Sequence, residues 1–117
     1  MKKIYYLSTC NTCSRIMEEL DLPDDFELQD IKTQPITKEQ IEEMRSLTDS
    51  YESLFSKRAR LYKELDLKNK SLSDDDYKRY IIEHYTFLKR PVILIGDRIY
   101  IGNSKKIVEA AKKAINE

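Results

Sequence analysis

The two cysteines of this 117-residue chain lie close together near its start, in the stretch "KIYYLSTCNTCSRIMEEL". Cys10 falls where a run of β-prone residues ends and residues with helical spacing begin. A free thiol is only roughly 3% thiolate at pH 7, but the N–H groups and the dipole at a helix N-terminus stabilise the anion. Cys13 lies about one helical turn further on, close enough for its sulfur to reach Cys10. The pair therefore predicts a nucleophile at Cys10 and a resolving thiol at Cys13.

Two other interpretations of the cysteine pair compete with this one. Both cysteines could be small buried residues without chemistry, or they could be half of a metal site. A structural zinc ion takes four ligands, and C-x-x-C supplies two. The one histidine, His84, lies far along the chain without a second partner spaced for coordination. We therefore expect no metal site, and we expect His84 to be a helix-surface or core residue rather than a catalytic base.

Hydrophobic patterns divide the first part of the chain into short elements. "KIYYL" and "FELQDI" are β-prone runs, and between them Ile16, Met17 and Leu20 share one helical face. Pro23 ends that helix. The sequence "TKEQ", which begins at Thr37, has the form of a capping box and predicts the start of another helix. The order strand, helix, strand at the front implies a parallel pair of strands.

The rest of the chain predicts a helical block followed by a hairpin and a last helix. Residues 51–67 contain no glycine or proline and predict helix, and a further helix is expected to start at Ser73. Two β-rich runs then flank the Gly-Asp pair at 96–97, a connection typical of a tight hairpin. The closing segment predicts an amphipathic helix capped by Ser104 or Asn103.

This order of elements predicts an α/β fold with a mixed sheet flanked by helices. The front of the chain supplies parallel strands and the hairpin supplies antiparallel ones. The length fits one domain, and the sequence contains no repeat, low-complexity segment or linker. We therefore predict a single domain over residues 1–117, with a helical insertion at about 37–88.

Charge and hydropathy argue against several classes of function. Lys plus Arg and Asp plus Glu both number 21, so no net charge attracts nucleic acid or membranes. The longest apolar run, Pro91–Ile95, is far too short for a membrane span. The start "MKKIYYLST" lacks the apolar length and the cleavage site of a signal peptide. We expect a cytoplasmic monomer without direct nucleic-acid or membrane binding, in which a close cysteine pair is typically catalytic or redox-sensing.

Three segments give the chain a specific resemblance. C-x-x-C at a strand-to-helix junction is typical of the thioredoxin-like fold, and "IYYLSTCNTCSR", "SKRARLYKELDL" and "FLKRPVILIGDRIYIG" follow one another at the spacing of one family within it. On these segments the chain resembles the arsenate reductase (ArsC)/Spx family over essentially its whole length. The resemblance implies a thioredoxin-like four-stranded sheet in the order β-α-β … β-β-α, with the helical insertion between the second and third strands.

The resemblance also implies roles for single residues. Cys10 corresponds to the family's nucleophile, and a second cysteine at the position of Cys13 is typical of Spx-like members. Arg90 corresponds to the arginine before the third strand, and Pro91 corresponds to the cis-proline that lies against the active cysteine. Arg58 corresponds to an arginine of the Spx branch. Guanidinium groups bind tetrahedral oxyanions bidentately and stabilise a nearby thiolate, so the resemblance implies that Arg58 and Arg90 bind the anionic substrate.

Departures from the arsenate-reductase pattern keep two functions open. Ser56 and Gly102 stand where arsenate reductases carry substrate arginines, and "YLSTC" replaces "HNPAC". The first function is a thiol-dependent oxidoreductase acting on arsenate or another small oxyanion or thiol substrate. We expect no bound cofactor, because thiol chemistry carries the electrons, and we expect glutathione, glutaredoxin or thioredoxin as electron donor.

The alternative is an Spx-like redox-sensing transcription regulator that binds the α subunit of RNA polymerase through a C-x-x-C switch. Ser50 replaces a glycine of that regulator's contact region. We place the enzyme first, because a role in binding alone requires a partner surface that the sequence does not show.

Overall fold

The computed structural model describes all 117 residues and contains four β-strands and five α-helices. The strands are β1 Lys2–Tyr6, β2 Glu27–Asp30, β3 Val92–Ile95 and β4 Arg98–Ile101, and the helices are α1 Asn11–Leu20, α2 Lys38–Ser46, α3 Arg60–Glu64, α4 Asp74–Glu83 and α5 Lys105–Ile115. The chain divides into two compact units, the first made of Met1–Gln34 with Arg90–Glu117 and the second of Pro35–Lys89. No helix combines the length and the apolar character needed to cross a membrane.

The first unit contains the whole sheet, in the strand order β2-β1-β3-β4. β1 pairs with β2 in parallel and with β3 in antiparallel orientation, so that Ile4 lies between Leu28 and Ile93. β3 and β4 form the predicted hairpin around residues 96–97. Gly96 has a φ of 61° there, which only glycine adopts without cost. The mixed α/β sheet predicted from the order of the elements is confirmed.

Two helices cover one face of this sheet and build the core of the first unit. α1 and α5 place their apolar stripes against the strands, as their amphipathic sequences predict. The buried core residues are Ile4, Ile16, Leu20, Phe26, Ile93, Ile95, Val108, Ala111 and Ala114. Ser104 caps α5, because its hydroxyl accepts a hydrogen bond from the Ile107 N–H at 3.3 Å. The core thus fixes the position of α1, which has Cys10 as its N-cap and Cys13 in its first turn.

The second unit contains α2, α3 and α4, and two of these helices begin with the predicted caps. Thr37 and Gln40 bond reciprocally at the start of α2, with both distances 3.1 Å. Ser73 and Asp76 do the same at the start of α4, at 2.9 and 3.2 Å. Each pair satisfies two N–H groups that no helical carbonyl reaches, so these two boundaries follow from local sequence.

The prediction of helix over residues 51–67 is wrong. Glu52–Leu54 forms a 3₁₀ turn, and Phe55 is extended and forms an isolated antiparallel bridge with Leu88. The Lys89 N–H donates to the Leu54 carbonyl at 2.8 Å, and the ring of Phe55 stacks on Phe87 with centroids 4.8 Å apart. This pairing with a distant segment and the burial of the Phe55 ring outweigh the local helix propensity, which survives only in the short α3.

Candidate active site

Cys10 occupies the N-cap position of α1, where the chain passes from the sheet into the helix. Its backbone is extended, with φ −98° and ψ 113°. Its N–H donates to the Leu7 carbonyl at 3.0 Å, and its carbonyl accepts from the Ser14 N–H at 3.2 Å. The first turn of α1 contains no acidic residue. The half-buried sulfur therefore lies among the main-chain donors of a helix start, with no carboxylate in that turn to repel an anion.

These surroundings make Cys10 the more acidic of the two thiols. Burial alone raises the pKa of Cys10, because it penalises the charged form. Hydrogen bonds from the Cys13 main chain, the Cys13 thiol and the Thr12 main chain oppose it, as does the positive charge of Arg90. The opposing contributions prevail, so the pKa of Cys10 lies below its ordinary value. A larger share of Cys10 is then thiolate at neutral pH than in an exposed cysteine.

Cys13 is buried and has the opposite character. The pKa of its thiol is raised to about 11, chiefly by burial and further by the charge and the sulfur of Cys10. A hydrogen bond with the Leu7 main chain and the charge of Arg90 oppose this only in part. Cys13 therefore stays protonated at neutral pH and donates its S–H to the Cys10 sulfur. The structure brings together the two thiols that the C-x-x-C spacing predicted to meet.

Arg90 and Pro91 belong to the same unit and lie directly before β3. The Arg90–Pro91 peptide bond is cis, and the Pro91 carbonyl accepts a hydrogen bond from the Gly102 N–H at 2.9 Å. Arg90 is half-buried, and its charge acts on both thiols. A guanidinium that favours the thiolate of Cys10 is also able to bind an oxyanion that approaches it.

Arg58 and His84 lie in the second unit. Arg58 is exposed in the turn that precedes α3. His84 is exposed directly after α4, with its ring edge-on to Phe87 at 5.8 Å between centroids. In the whole structure, no group of three or more His, Cys, Asp or Glu side chains is placed to hold a metal ion. The anion-binding role of Arg58 stays a prediction from the resemblance.

A comparison with protein families matches nearly the whole chain, including the residues of this site. A family model described as "ArsC family" matches residues 5–111. The chain belongs to the ArsC family. This confirms the resemblance on which the roles of the cysteines were assigned, and the match includes Cys10, Cys13, Arg58, Arg90 and Pro91.

Single relatives of this ArsC-family chain come from both branches of the family. "Global transcriptional regulator Spx" of Bacillus subtilis is 26% identical over 106 residues, which cover 87% of this chain and 79% of that protein. The arsenate reductase from Vibrio cholerae superposes with a TM-score of 0.77 at 17% identity, over 97% of this chain and 96% of that one. A protein from Staphylococcus aureus superposes with a TM-score of 0.72 at 28% identity, over 94% and 97% of the two chains. The thioredoxin-like fold of the ArsC family is thereby established.

Sequence reasoning missed one side chain that contacts the loop before Cys10. Asp30 ends β2, and its carboxylate accepts a hydrogen bond from the Ser8 N–H at 3.2 Å. A signal was present, because β1 and β2 are parallel and the carboxyl ends of parallel strands meet at one edge of a sheet. A polar residue at the end of β2 could therefore have been expected beside the loop that leaves β1.

Proposed function

We propose that this ArsC-family protein is a thiol-dependent oxidoreductase in which Cys10 is the nucleophile and Cys13 the resolving thiol. The observation that carries the proposal is the opposite state of the two sulfurs. Cys10, at the N-cap of α1, has a lowered pKa, whereas the buried Cys13 beside it is protonated and hydrogen-bonded to it. A thiol of lowered pKa next to a protonated thiol suits a reaction in which the first forms an adduct and the second then displaces it.

The pKa of Cys13 is expected to fall once Cys10 has reacted. The thiolate charge of Cys10 and the hydrogen bond to it both raise the pKa of Cys13, behind the larger effect of burial. Formation of an adduct removes the charge on Cys10, so Cys13 ionises more readily in the adduct than in the free protein. Cys13 is then able to attack the Cys10 sulfur at the stage where attack is useful.

Arsenate illustrates the balance of the reaction. The Cys10 thiolate forms a bond to arsenic, and one arsenate oxygen leaves as water after taking up two protons. The Cys13 thiolate, or a glutathione thiolate, attacks the Cys10 sulfur and the sulfur–arsenic bond breaks. The bonding electron pair stays on arsenic, so arsenic(V) becomes arsenic(III) while two thiols become one disulfide. Glutathione or a dithiol of the glutaredoxin or thioredoxin class then reduces the disulfide.

Positive charge near Cys10 supports an anionic substrate. Arg90 acts on Cys10, and its planar guanidinium matches two oxygens of an oxyanion or a carboxylate of glutathione. We retain Arg58 as a second anion-binding residue and Pro91 as the cis-proline against the site, both on the resemblance. Arg90 is the one arginine whose charge is shown to act on the thiols, and a single guanidinium neutralises a doubly charged oxyanion only in part. We therefore include small disulfides and glutathione adducts among the proposed substrates.

Trapping the adduct tests the proposal. The reduced wild type, Cys13→Ser and Cys10→Ser are each mixed with glutathione disulfide or arsenate, quenched with an alkylating agent in denaturant so that both thiols are counted, and weighed intact by mass spectrometry. We expect the wild type to lose both free thiols as an internal disulfide and Cys13→Ser to hold a glutathione adduct on Cys10. Cys10→Ser should keep its one thiol free for the alkylating agent with either oxidant. A wild type that keeps two alkylatable thiols with both oxidants, or a Cys10→Ser that reacts equally fast, contradicts the proposal.

A redox-sensing regulator is the second candidate, favoured by the Spx relatives that align over most of the chain. In this case the Cys10–Cys13 disulfide would change the start of α1 and thereby the binding of the RNA polymerase α subunit. Retention of the reduced and the oxidised protein on immobilised C-terminal domain of that subunit separates the two candidates. Retention that changes with redox state supports the regulator, and no retention in either state contradicts it.

A further inference from the structure

Cys10 is presented by a very short connection. Only Leu7, Ser8 and Thr9 separate the end of β1 from Cys10, and the Cys10 N–H closes a turn by donating to the Leu7 carbonyl at 3.0 Å. Ser8 and Thr9, the two residues inside this turn, are both exposed, outside the buried core. The conformation of this turn, which sets the orientation of Cys10 at the N-terminus of α1, therefore depends on polar contacts.

Asp30 supplies such a contact from the neighbouring strand. Its Oδ1 accepts from the Ser8 N–H at 3.2 Å and from the Lys32 N–H at 3.1 Å, and the Ser8 side chain bonds to the same carboxylate. These hydrogen bonds, with that of the Ser8 side chain foremost, hold the pKa of Asp30 below its ordinary value, so the carboxylate is ionised at neutral pH.

The main chain around Asp30 is itself firmly held. The Ile31 N–H donates to the Tyr6 carbonyl at 2.9 Å, which extends the ladder between β1 and β2. The Asp30 carbonyl accepts from the Gln34 N–H at 2.8 Å and from the Thr33 N–H at 3.2 Å. Asp30 is thus a fixed point at the end of the sheet, whereas the turn of Ser8 and Thr9 is not fixed by packing.

We propose that Asp30 is a positioning residue for Cys10: by accepting from Ser8 it fixes the turn that aims the Cys10 sulfur at the N–H groups of Thr12 and Cys13. The inference rests on the proposed role of Cys10 as the nucleophile. Asp30 touches neither thiol and takes no part in the chemistry. Its effect is geometric, because loss of the Ser8 contact lets the turn rotate and lengthens the hydrogen bonds that stabilise the thiolate.

Geometry and charge predict opposite results when Asp30 is replaced. Removing a nearby negative charge would by itself favour the Cys10 thiolate, whereas removing an acceptor that positions Cys10 disfavours it. Asp30→Ala removes both the charge and the acceptor, and Asp30→Asn keeps an acceptor oxygen without the charge. Asp30→Glu keeps the charge but displaces the acceptor by one methylene. The three variants therefore separate the two effects.

The experiment measures the alkylation rate of Cys10 by iodoacetamide between pH 5 and pH 10, with the modified residue identified by tandem mass spectrometry. We expect Asp30→Ala and Asp30→Glu to react about three- to tenfold more slowly at pH 7, with a pH profile displaced to higher pH, since the acceptor that holds the Ser8 turn is lost or displaced. Asp30→Asn should retain the wild-type profile. Ser104→Ala is the control, because it removes a capping bond in the same unit and should leave the profile unchanged.

Two results would overturn the inference. Equally slow reaction of Asp30→Asn and Asp30→Ala contradicts positioning through the acceptor, because Asp30→Asn keeps an acceptor oxygen. Unchanged rates in Asp30→Ala and Asp30→Glu contradict any positioning role. If Asp30→Ala fails to fold, the comparison of Asp30→Glu with Asp30→Asn carries the test. A wild type whose own profile matches a free thiol would instead refute the proposed function of Cys10, so the two failures are distinguishable.

Discussion

At the scale of single residues, the chemistry depends on what surrounds each sulfur rather than on the cysteines alone. Two identical side chains within one helical turn differ because one lies at the N-cap and the other is buried beneath the first turn. Main-chain N–H groups contribute more to the lowered pKa of Cys10 than the charge of Arg90 does. The site is therefore built mostly by the fold, with Arg90 as an additional cation.

The contribution of Arg90 is tested by Arg90→Met. Removing its charge takes away one of the interactions that favour the Cys10 thiolate, so we expect alkylation of Cys10 at pH 7 to slow about two- to fivefold. Arg90→Lys, which keeps a positive charge, should lose less in alkylation rate. Iodoacetamide alkylation followed by mass spectrometry measures these rates.

Arg98→Met is the matched control for Arg90→Met. Arg98 is an arginine of the same unit, on β4, and its guanidinium pairs with Glu117 at 3.3 Å. Arg98 is not among the largest contributions to the pKa of either cysteine, whereas Arg90 contributes to both. Equal slowing in Arg90→Met and Arg98→Met would contradict a specific role of Arg90.

At the scale of elements, Asp74 joins two parts of the second unit. Its carboxylate lies in the first turn of α4 and accepts from the N–H groups of Tyr51 and Glu52 at 3.0 and 3.1 Å. It thereby caps the 3₁₀ turn Glu52–Leu54, which leads into the extended Phe55. The contact fixes the segment whose structure the local sequence predicted wrongly.

We expect Asp74→Ala to lower the free energy of unfolding by about 1–2 kcal/mol, because it leaves two N–H groups without their acceptor on a partly exposed surface. Urea unfolding followed by circular dichroism measures this loss. Asp75→Ala is the matched control, since Asp75 is acidic and lies in the same first turn. A loss of free energy as large in Asp75→Ala as in Asp74→Ala would show that the helix dipole, rather than the tertiary contact, explains the effect.

The elements show which features a sequence can predict. The caps at Thr37 and Ser73 and the hairpin at Gly96 were predictable, because each depends on residues within a few positions of one another. The extended state of Phe55 was not, because its partner Leu88 lies more than thirty residues away and only their pairing decides against helix.

The candidate site follows the same rule. C-x-x-C at the strand-to-helix junction was sufficient to predict the contact of Cys10 with Cys13, since both lie in one turn of α1. The buried state of Cys13, with its raised pKa of about 11, depends on the core and was not predictable. Nor was the bond between Asp30 and Ser8, because it joins residues that only the parallel pairing of β1 and β2 brings together.

At the scale of the whole molecule, the sheet unit is formed by two distant parts of the chain, and residues 35–89 lie between those parts in sequence. The ArsC-family match runs through all of these segments, from residue 5 to residue 111. We propose that the chain is one domain, with residues of about 37–88 as its insertion. Calorimetric and van't Hoff enthalpies of unfolding should then agree, and two separate transitions would contradict this organisation.

The proposed chemistry requires that Cys10 is an activated nucleophile and Cys13 its protonated partner. The most direct measurement is the alkylation rate of each cysteine of the reduced wild type as a function of pH, resolved by tandem mass spectrometry. Because the pKa of Cys10 is lowered, its rate should rise with pH through a midpoint below that of a cysteine in an unfolded peptide measured alongside. Cys13 should stay unreactive across that range, since its pKa is about 11. A Cys10 midpoint at or above that of the peptide cysteine, or equal rates at the two cysteines, would contradict these roles.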